Sequence, residues 1–242
     1  MRFGDGDMFL AKGQKDILHA PSTKLTYEMN EALSYSSGNI LKSLPIHSYK
    51  FGYEDGMAHG SHLMRDKAAE RFIKQSIELF IGQKIYSTVA LHHQFVTNYE
   101  YALTFLRFLK SRSMLFIGCK DIESTILTTL FGKVPHIQCP SKESYTEIDR
   151  IEEESIRALS HPSSPSGVVI VAMGCPGRVL VKRLLKRNLG PFFYFDFGSL
   201  LDFICGWNTR TWHTQAGISH EVVSRIFRTF CSSQPALVLA LP

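Results

Sequence analysis

The chain has 242 residues, of which 44% are hydrophobic and 20% are charged, and these proportions exclude intrinsic disorder and a coiled coil. The formal net charge of +5 suits an anionic ligand or an anionic membrane face, whereas no RNA-binding or zinc-finger signature points to nucleic acid. No apolar stretch reaches the ~18 residues of a membrane span and the N-terminus lacks a signal-peptide pattern, so we expect a cytoplasmic protein.

The first 83 residues are less regular than the rest. Residues 1–4 predict a short strand that runs into a turn, and residues 23–35 and 61–80 have helical periodicity. The segment 36–60 is rich in Gly, Ser, His and Tyr, which is typical of a loop or an active-site flap.

From residue 84 onward, predicted strands alternate with predicted helices. The most apolar strand is GVVIVAM, residues 167–173. Such alternation indicates β-α-β units, so the expected fold class is α/β, with a Rossmann-like, mostly parallel sheet flanked by helices. The predicted strands are 84–91, 113–118, 134–139, 167–173 and 192–197, and the predicted helices are 99–110, 122–131, 144–159, 178–187 and 219–230.

We expect one domain over residues 1–242, because the alternation continues across the Pro- and Ser-rich connector near residue 161. Its parts are an irregular N-terminal section (1–83), an alternating section (84–213) and a C-terminal section with a closing helix (214–242). No internal repeat is present.

The sequence Arg-Phe-Gly-Asp-Gly-Asp at residues 2–7 combines acidic and basic groups. Asp5 and Asp7 stand one residue apart, in a turn that Gly4 and Gly6 keep open, and could converge on one Mg²⁺ or Mn²⁺ ion. The guanidinium of Arg2 could neutralise a phosphate. A polar turn without function is the alternative that a bare D-G-D pattern leaves open.

Three turns follow predicted strands, where open parallel sheets bind ligands. They contain Gly118, the pair Ser144 and Tyr145, and Gly174, with Arg178 at the start of the next helix. Each is also compatible with an ordinary strand-to-helix turn. None has the G-x-G-x-x-G or P-loop pattern, which disfavours the usual dinucleotide and P-loop sites.

Acidic and basic residues also cluster after the last predicted strand. Asp196, Asp202, Arg210 and His213 could bring acid–base and phosphate-binding chemistry to one end of the sheet. Asp196 could instead cap a helix, and Asp202 and Arg210 could form a buried ion pair.

Two charged helices are predicted to face solvent. The acidic residues of 147–154 indicate the exposed face of one helix. Lys182, Arg183, Lys186 and Arg187 lie at i, i+4 spacing on another, a face that suits solvent or an anionic lipid surface.

Taken in chain order, these motifs resemble the bacterial glycosyltransferases of the GT-D fold. Residues 2–7 are similar to that family's R-[FY]-G-D-G-E opening, with Asp7 in place of Glu. Four further features follow in the family's order: Asn98, the LFIGC strand, Ser144 with Tyr145, and the segment VVIVAMGCPGRVL. The FDFGSLLD segment is similar to the branch with D-[IV]-G-S-x-L-D, which has no His at Ser199.

The resemblance implies transfer of a sugar from a nucleoside diphosphate donor, UDP-linked by expectation, to a glycan or another hydroxyl acceptor. It implies that Asp5 and Asp7 bind Mn²⁺ or Mg²⁺, and that Asp7 and Asp202 are catalytic, with Asp202 as the base. The nucleotide-sugar-binding residues it implies are Arg2, Gly4, Asp5, Asn98, Gly118, Ser144, Tyr145, Gly174 and Arg210.

Two other classes remain open at this stage. An S-adenosylmethionine-dependent methyltransferase is compatible with LFIGCKD after a strand, although that turn lacks the glycines for close approach to the cofactor. A non-catalytic subunit that binds a glycan or a partner enzyme is the second alternative.

Overall fold

The computed structural model describes residues 1–44, 85–87, 99–119, 124–161 and 166–198, together with residues 201, 221, 228–230 and 232. In chain order, the elements are α1 (Asp5–Ala11), α2 (Thr23–Ser34), β1 (Lys42–Leu44), β2 (Ile85–Ser87), α3 (Tyr99–Lys110), β3 (Met114–Cys119), α4 (Ser124–Phe131), β4 (His136–Cys139), a 3₁₀ helix (Ser144–Glu147), α5 (Ile148–Leu159), β5 (Gly167–Ala172), α6 (Pro176–Arg187) and β6 (Phe192–Phe195). The predicted helix at 61–80 lies outside the described residues, as does most of the one at 219–230.

A four-stranded parallel sheet in the order β4-β3-β5-β6 forms the centre of the molecule. Successive side chains of a strand point to opposite faces, so each strand supplies two cores. Leu115 and Ile117 pack under α1, α2, α5 and α6, whereas Met114 and Phe116 pack under α3 and α4. The predicted α/β class with a parallel sheet flanked by helices is therefore confirmed.

Local signals in the sequence set the ends of two helices. The Ser22 hydroxyl accepts the backbone N–H of Leu25 and caps α2. Helix α6 begins at Pro176, whose missing N–H costs nothing at a first helical position, and ends before Asn188 in the left-handed conformation.

A second, smaller sheet lies at the N-terminus. Strands β1 and β2 are parallel, and Arg2 forms an isolated parallel bridge with Ser43. The N–H of Phe3 donates to the Ser43 carbonyl and the Ser43 N–H donates to the Met1 carbonyl. The predicted loop over 36–60 is therefore wrong at β1, since three residues are too few to show a strand periodicity.

No helix within the described part of the chain combines the length and the apolar character that crossing a lipid bilayer requires.

Candidate active site

The acidic motif begins a helix. Residues 5–7 form the first turn of α1, so the predicted open turn is wrong. The backbone N–H of Gly4 donates to Asp7 Oδ2 at 2.7 Å, which satisfies one of the N–H groups that a helix start leaves unpaired. Only the backbone of Asp5 is described, so the position of its carboxylate stays a prediction.

Gly6 allows this helix to approach the turn after β5. A Cβ atom at Gly6 would lie 3.0 Å from Cys175 Sγ and 3.2 Å from Asp16 Oδ2, which is closer than side chains normally pack. The glycine therefore brings the acidic motif against the turn that leads into α6.

Asp7 is buried and belongs to an ion cluster with Arg178 and Asp196. Arg178 Nε lies 3.2 Å from Asp7 Oδ1, and Arg178 Nη2 lies 3.2 Å from Asp196 Oδ2. Burial raises the pKa of Asp7 to about 6, against the opposing charge of Arg178. Burial alone would lower the pKa of Arg178, but Asp196 and Asp7 raise it above its ordinary value, so the guanidinium is charged.

The same guanidinium donates hydrogen bonds to two backbone carbonyls. Its Nη1 donates to the Gly174 carbonyl at 2.6 Å, and its Nε donates to the Arg2 carbonyl. One side chain thus joins the N-terminal motif, the β5–α6 turn and the end of β6. The start of the chain therefore lies against the Gly174 turn.

Arg2 itself lies over Gly198. Its guanidinium occupies the space where a Cβ atom of Gly198 would stand, and its positive charge acts to lower the pKa of Asp7. Arg2 is therefore at the end of β6, next to the ion cluster.

The sheet has a topological switch point between β3 and β5. Strand β3 leads into α4 on one face, whereas β5 leads into α6 on the other. The region beyond their carboxyl ends, called the β3–β5 crevice below, is where open parallel sheets generally bind ligands. Gly118 pairs with Ala172 there, two residues before Gly174. The Phe116 ring fills the space beside Gly118.

The space beside Gly174 is filled by protein. Gly174 has φ +69°, and a Cβ atom would lie 3.1 Å from His19 Cε1. His19 therefore lies where a side chain at position 174 would stand. The Ser144 hydroxyl donates to the Met173 carbonyl at 3.0 Å and lies 3.1 Å from His19 Nε2. Its predicted contact with a nucleotide stays a prediction.

Asp16 completes this buried network. Its Oδ1 accepts the backbone N–H groups of Leu18 and His19, and its Oδ2 lies 3.3 Å from His19 Nδ1 and accepts from Cys175 Sγ at 3.1 Å. Burial acts to raise the pKa of Asp16, but the bonds from His19, Cys175 and Leu18 outweigh it and lower the pKa to about 2.

Asp16→Asn should destabilise the fold by about 2 kcal/mol at pH 7, since each pKa unit corresponds to ~1.4 kcal/mol. The folded pKa lies below the ordinary value of 3.8. The stabilisation is therefore present above about pH 4 and is lost as the pH falls towards 2. Urea unfolding at pH 7 and pH 3 measures it, and the variant should lose less stability between them than the wild type.

Glu154→Gln is the matched control, because Glu154 pairs with Arg150 at the surface. Equal losses of unfolding free energy in Asp16→Asn and Glu154→Gln at pH 7 would contradict the stabilising role of Asp16.

Tyr145 belongs to a network between helices. Its hydroxyl donates to Glu28 Oε2 at 2.5 Å, and Arg183 donates to both oxygens of Glu28. Burial, with the adjacent Glu28 carboxylate, raises the pKa of Tyr145 above its ordinary range. The hydroxyl thus fixes the 3₁₀ helix on α2 and is engaged within the protein.

The basic face of α6 is paired with acidic residues. Lys182 is only 3% exposed and lies 2.5 Å from Glu31 of α2, and Arg183 and Arg187 contact Glu152 of α5. The predicted solvent or lipid role is therefore wrong for Lys182 and Arg183, and Glu152 is buried, although it was predicted to be exposed. The reason is that charged faces of three helices meet each other.

Asn98, Asp202 and Arg210 lie outside the described residues, so their roles stay predictions. Sequence reasoning missed Asp16 and His19, which stand in an irregular segment without a motif. It noted Arg178 only as the start of a helix. An arginine directly after an apolar strand and a glycine turn is the sequence signal that could have indicated a buried role for this side chain.

Comparison with known proteins gives one family. The model of the family described as glycosyltransferase GT-D fold matches residues 1–198. No curated protein matches the chain.

Three solved structures have a similar fold. A glycosyltransferase with domain of unknown function 1792, from Streptococcus sanguinis, has a TM-score of 0.61 at 17% identity, over 87% of this chain and 80% of its own. A selenomethionine-substituted domain of the same kind has a TM-score of 0.59 at 20% identity, over 82% and 71%. Another such domain, described as having a distinct glycosyltransferase fold, has a TM-score of 0.58 at 19% identity, over 79% and 69%.

Proposed function

Because this chain belongs to the family of glycosyltransferases with the GT-D fold, we propose that it transfers a sugar from a nucleoside diphosphate donor, UDP-linked, to a hydroxyl of a glycan or a similar acceptor. The observation that carries the proposal is the fixation of Asp7 beside the β5–α6 turn by Arg178. Family membership also removes the reason to consider a methyltransferase.

The crevice between β3 and β5 is where we place the donor. It lies beyond the carboxyl ends of the strands, where α/β sheets bind nucleotides. The backbone at Gly118 and Gly174 borders it, and Arg2 lies at the neighbouring end of β6. A planar guanidinium can form paired hydrogen bonds with a diphosphate.

The acidic motif has oxygen atoms suited to Mn²⁺ or Mg²⁺. Asp7 Oδ1 is buried beside Arg178 Nε and accepts no hydrogen bond from the described residues, so we propose that one of its lone pairs is available for coordination. The described residues hold no group of three metal-binding side chains, but Mg²⁺ in phosphate-handling sites needs only one or two carboxylates besides substrate oxygens and water. We propose that Asp5 and Asp7 hold the cation, which when bound supplies positive charge to the departing diphosphate.

Transfer breaks the bond between the anomeric carbon and the diphosphate oxygen, and the nucleoside diphosphate leaves with the electron pair. The acceptor oxygen forms the new bond and gives its proton to a carboxylate, for which we propose Asp202. Arg2 and Arg210 would stabilise the negative charge that develops on the leaving group.

UDP with Mn²⁺ should raise the melting temperature of the wild-type protein. At 100 times Kd a ligand stabilises by about 2.7 kcal/mol, which is roughly 5–10 °C for a chain of this size. Thermal-shift scans with UDP, other nucleoside diphosphates and S-adenosylmethionine, each with Mn²⁺ or with EDTA, measure the effect. A shift with S-adenosylmethionine and none with any nucleoside diphosphate would overturn the proposal.

A further inference from the structure

A cavity of about 520 Å³ lies on the far side of β6 from the donor crevice. One wall is the segment 35–43, another is the C-terminal half of α6, and the third is β6 itself. Its volume is within the ~300–1,000 Å³ of small-molecule sites.

The lining combines apolar rings with small polar groups. Tyr35, Tyr194 and Leu184 supply apolar surface, and Asn39, Asn188 and Ser37 supply hydrogen-bonding groups. A pyranose ring has this same division, with a C–H face that packs on aromatic rings and hydroxyl groups around its edge.

Two polar features of the cavity are the Tyr194 hydroxyl and the outer edge of β6, where the Phe192 N–H donates to the Gly190 carbonyl. The Tyr194 hydroxyl makes no hydrogen bond to the described residues, and burial raises its pKa to about 12. Strand β6 pairs only with β5 in the described sheet, so one row of its backbone N–H and C=O groups faces outward. Hydroxyl groups of a sugar can both donate to and accept from such groups.

The end of α6 favours a neutral ligand over an anion, and the Lys42 ammonium that also lines the cavity donates to the Leu33 carbonyl. The cavity is bounded by Leu185 and Asn188, at the C-terminus of that helix. The partial negative charge of a helix C-terminus disfavours a diphosphate and suits hydroxyl donors.

The cavity is continuous with the ion cluster. Arg2 and Asp196 line it, and Asp196 contacts the same Arg178 that holds Asp7. A ligand in the cavity therefore lies beside Arg2 and Asp196, which adjoin the buried Asp7 and Arg178.

We propose that this cavity is the acceptor subsite and binds a pyranose sugar, which rests on the proposed sugar transfer. The donor and the acceptor then approach the acidic motif from two sides of β6, and the cavity selects acceptors by the fit of one ring between Tyr35 and Tyr194.

Saturation-transfer NMR with the methyl glycosides of glucose, galactose and N-acetylglucosamine tests the proposal on the full chain. We expect the wild-type protein to transfer NMR saturation to at least one of these glycosides. Asn39→Trp should reduce it at least fivefold, because the exposed Asn39 stands at the cavity and an indole there would obstruct it. Tyr194→Phe should reduce it about twofold or more by removing a hydroxyl.

Tyr27→Phe is the matched control, since Tyr27 is 65% exposed on α2 and does not line the cavity. UDP affinity, measured in parallel with Mn²⁺, should stay within twofold in all three variants. The acceptor site would be overturned by any of three results. These are no saturation transfer from the wild-type protein, saturation transfer from Asn39→Trp equal to that from the wild type, and a loss of UDP affinity that parallels the loss of glycoside binding. Glycoside binding without any nucleotide binding would instead contradict the proposed function and leave the cavity assignment in place.

Discussion

Arg178→Met should abolish sugar transfer and lower the free energy of unfolding by about 3–5 kcal/mol, the usual cost of removing one partner from a buried ion pair. The substitution removes the counterion that Asp7 and Asp196 share and leaves Asp7 with the weaker charge interaction with Arg2. It also removes the hydrogen bonds to the carbonyls of Arg2 and Gly174. Because a displacement of about 1 Å can cost ~100-fold in rate, we expect at least that loss of turnover.

Urea unfolding and turnover of a UDP-sugar measure the two effects of this substitution. Arg178→Lys keeps the charge but cannot reach both carboxylates and both carbonyls, so its stability and turnover should lie between those of Arg178→Met and the wild type. Arg150→Met is the control, because Arg150 is half exposed and pairs with Glu147 and Glu154 at the surface. It should cost about 1 kcal/mol or less. Wild-type stability in Arg178→Met would contradict the role of the ion cluster.

The central sheet was predictable because its two inner strands, β3 and β5, are buried on both faces. Such strands are continuous apolar runs, and GVVIVA of β5 contains no charge to interrupt the pattern. Predicted strand positions at 113–118, 134–139, 167–173 and 192–197 overlap the observed β3, β4, β5 and β6.

Helix α1 was not predictable in the same way. Gly4 and Gly6 lower local helix propensity, so the sequence around them indicates a turn. The helix forms because Met8 and Leu10 are buried in the core and Asp7 caps its first turn. The burial of Met8 and Leu10 depends on contacts with distant parts of the chain, which outweigh propensity in a helix of seven residues.

The ion pairs between helices also could not be predicted from the sequence. A row of basic residues at i, i+4 spacing has the same pattern whether it faces water or an acidic helix. In the structure, Arg183 meets Glu28 of α2 and Glu152 of α5, far away in sequence. The contact of Asp7 with Arg178 is of this kind as well, which is why the motif could be found but its counterion could not.

Asp7→Asn should reduce turnover at least 100-fold and leave the fold as stable as the wild type at pH 7.5. An amide oxygen can still accept the Gly4 N–H, so the helix cap survives. Asp196 still pairs with Arg178, so removing one negative charge from this cluster leaves a neutral pair. The ionised Asp7 carboxylate is itself costly above pH 6, because burial raises its pKa to about 6, and Asn removes that cost.

Turnover with Mn²⁺ and urea unfolding in EDTA separate these two effects, and Asp5→Asn tests the other carboxylate of the motif. Both variants should lose Mn²⁺-dependent turnover, since each removes a proposed metal ligand and its charge. The pair Arg178→Met and Asp7→Asn is informative because both substitutions disturb the same contact but change the net charge of the cluster in opposite directions. Unaltered turnover in Asp5→Asn would defeat the metal assignment, and a loss of several kcal/mol in Asp7→Asn would show that the ion cluster needs both carboxylates.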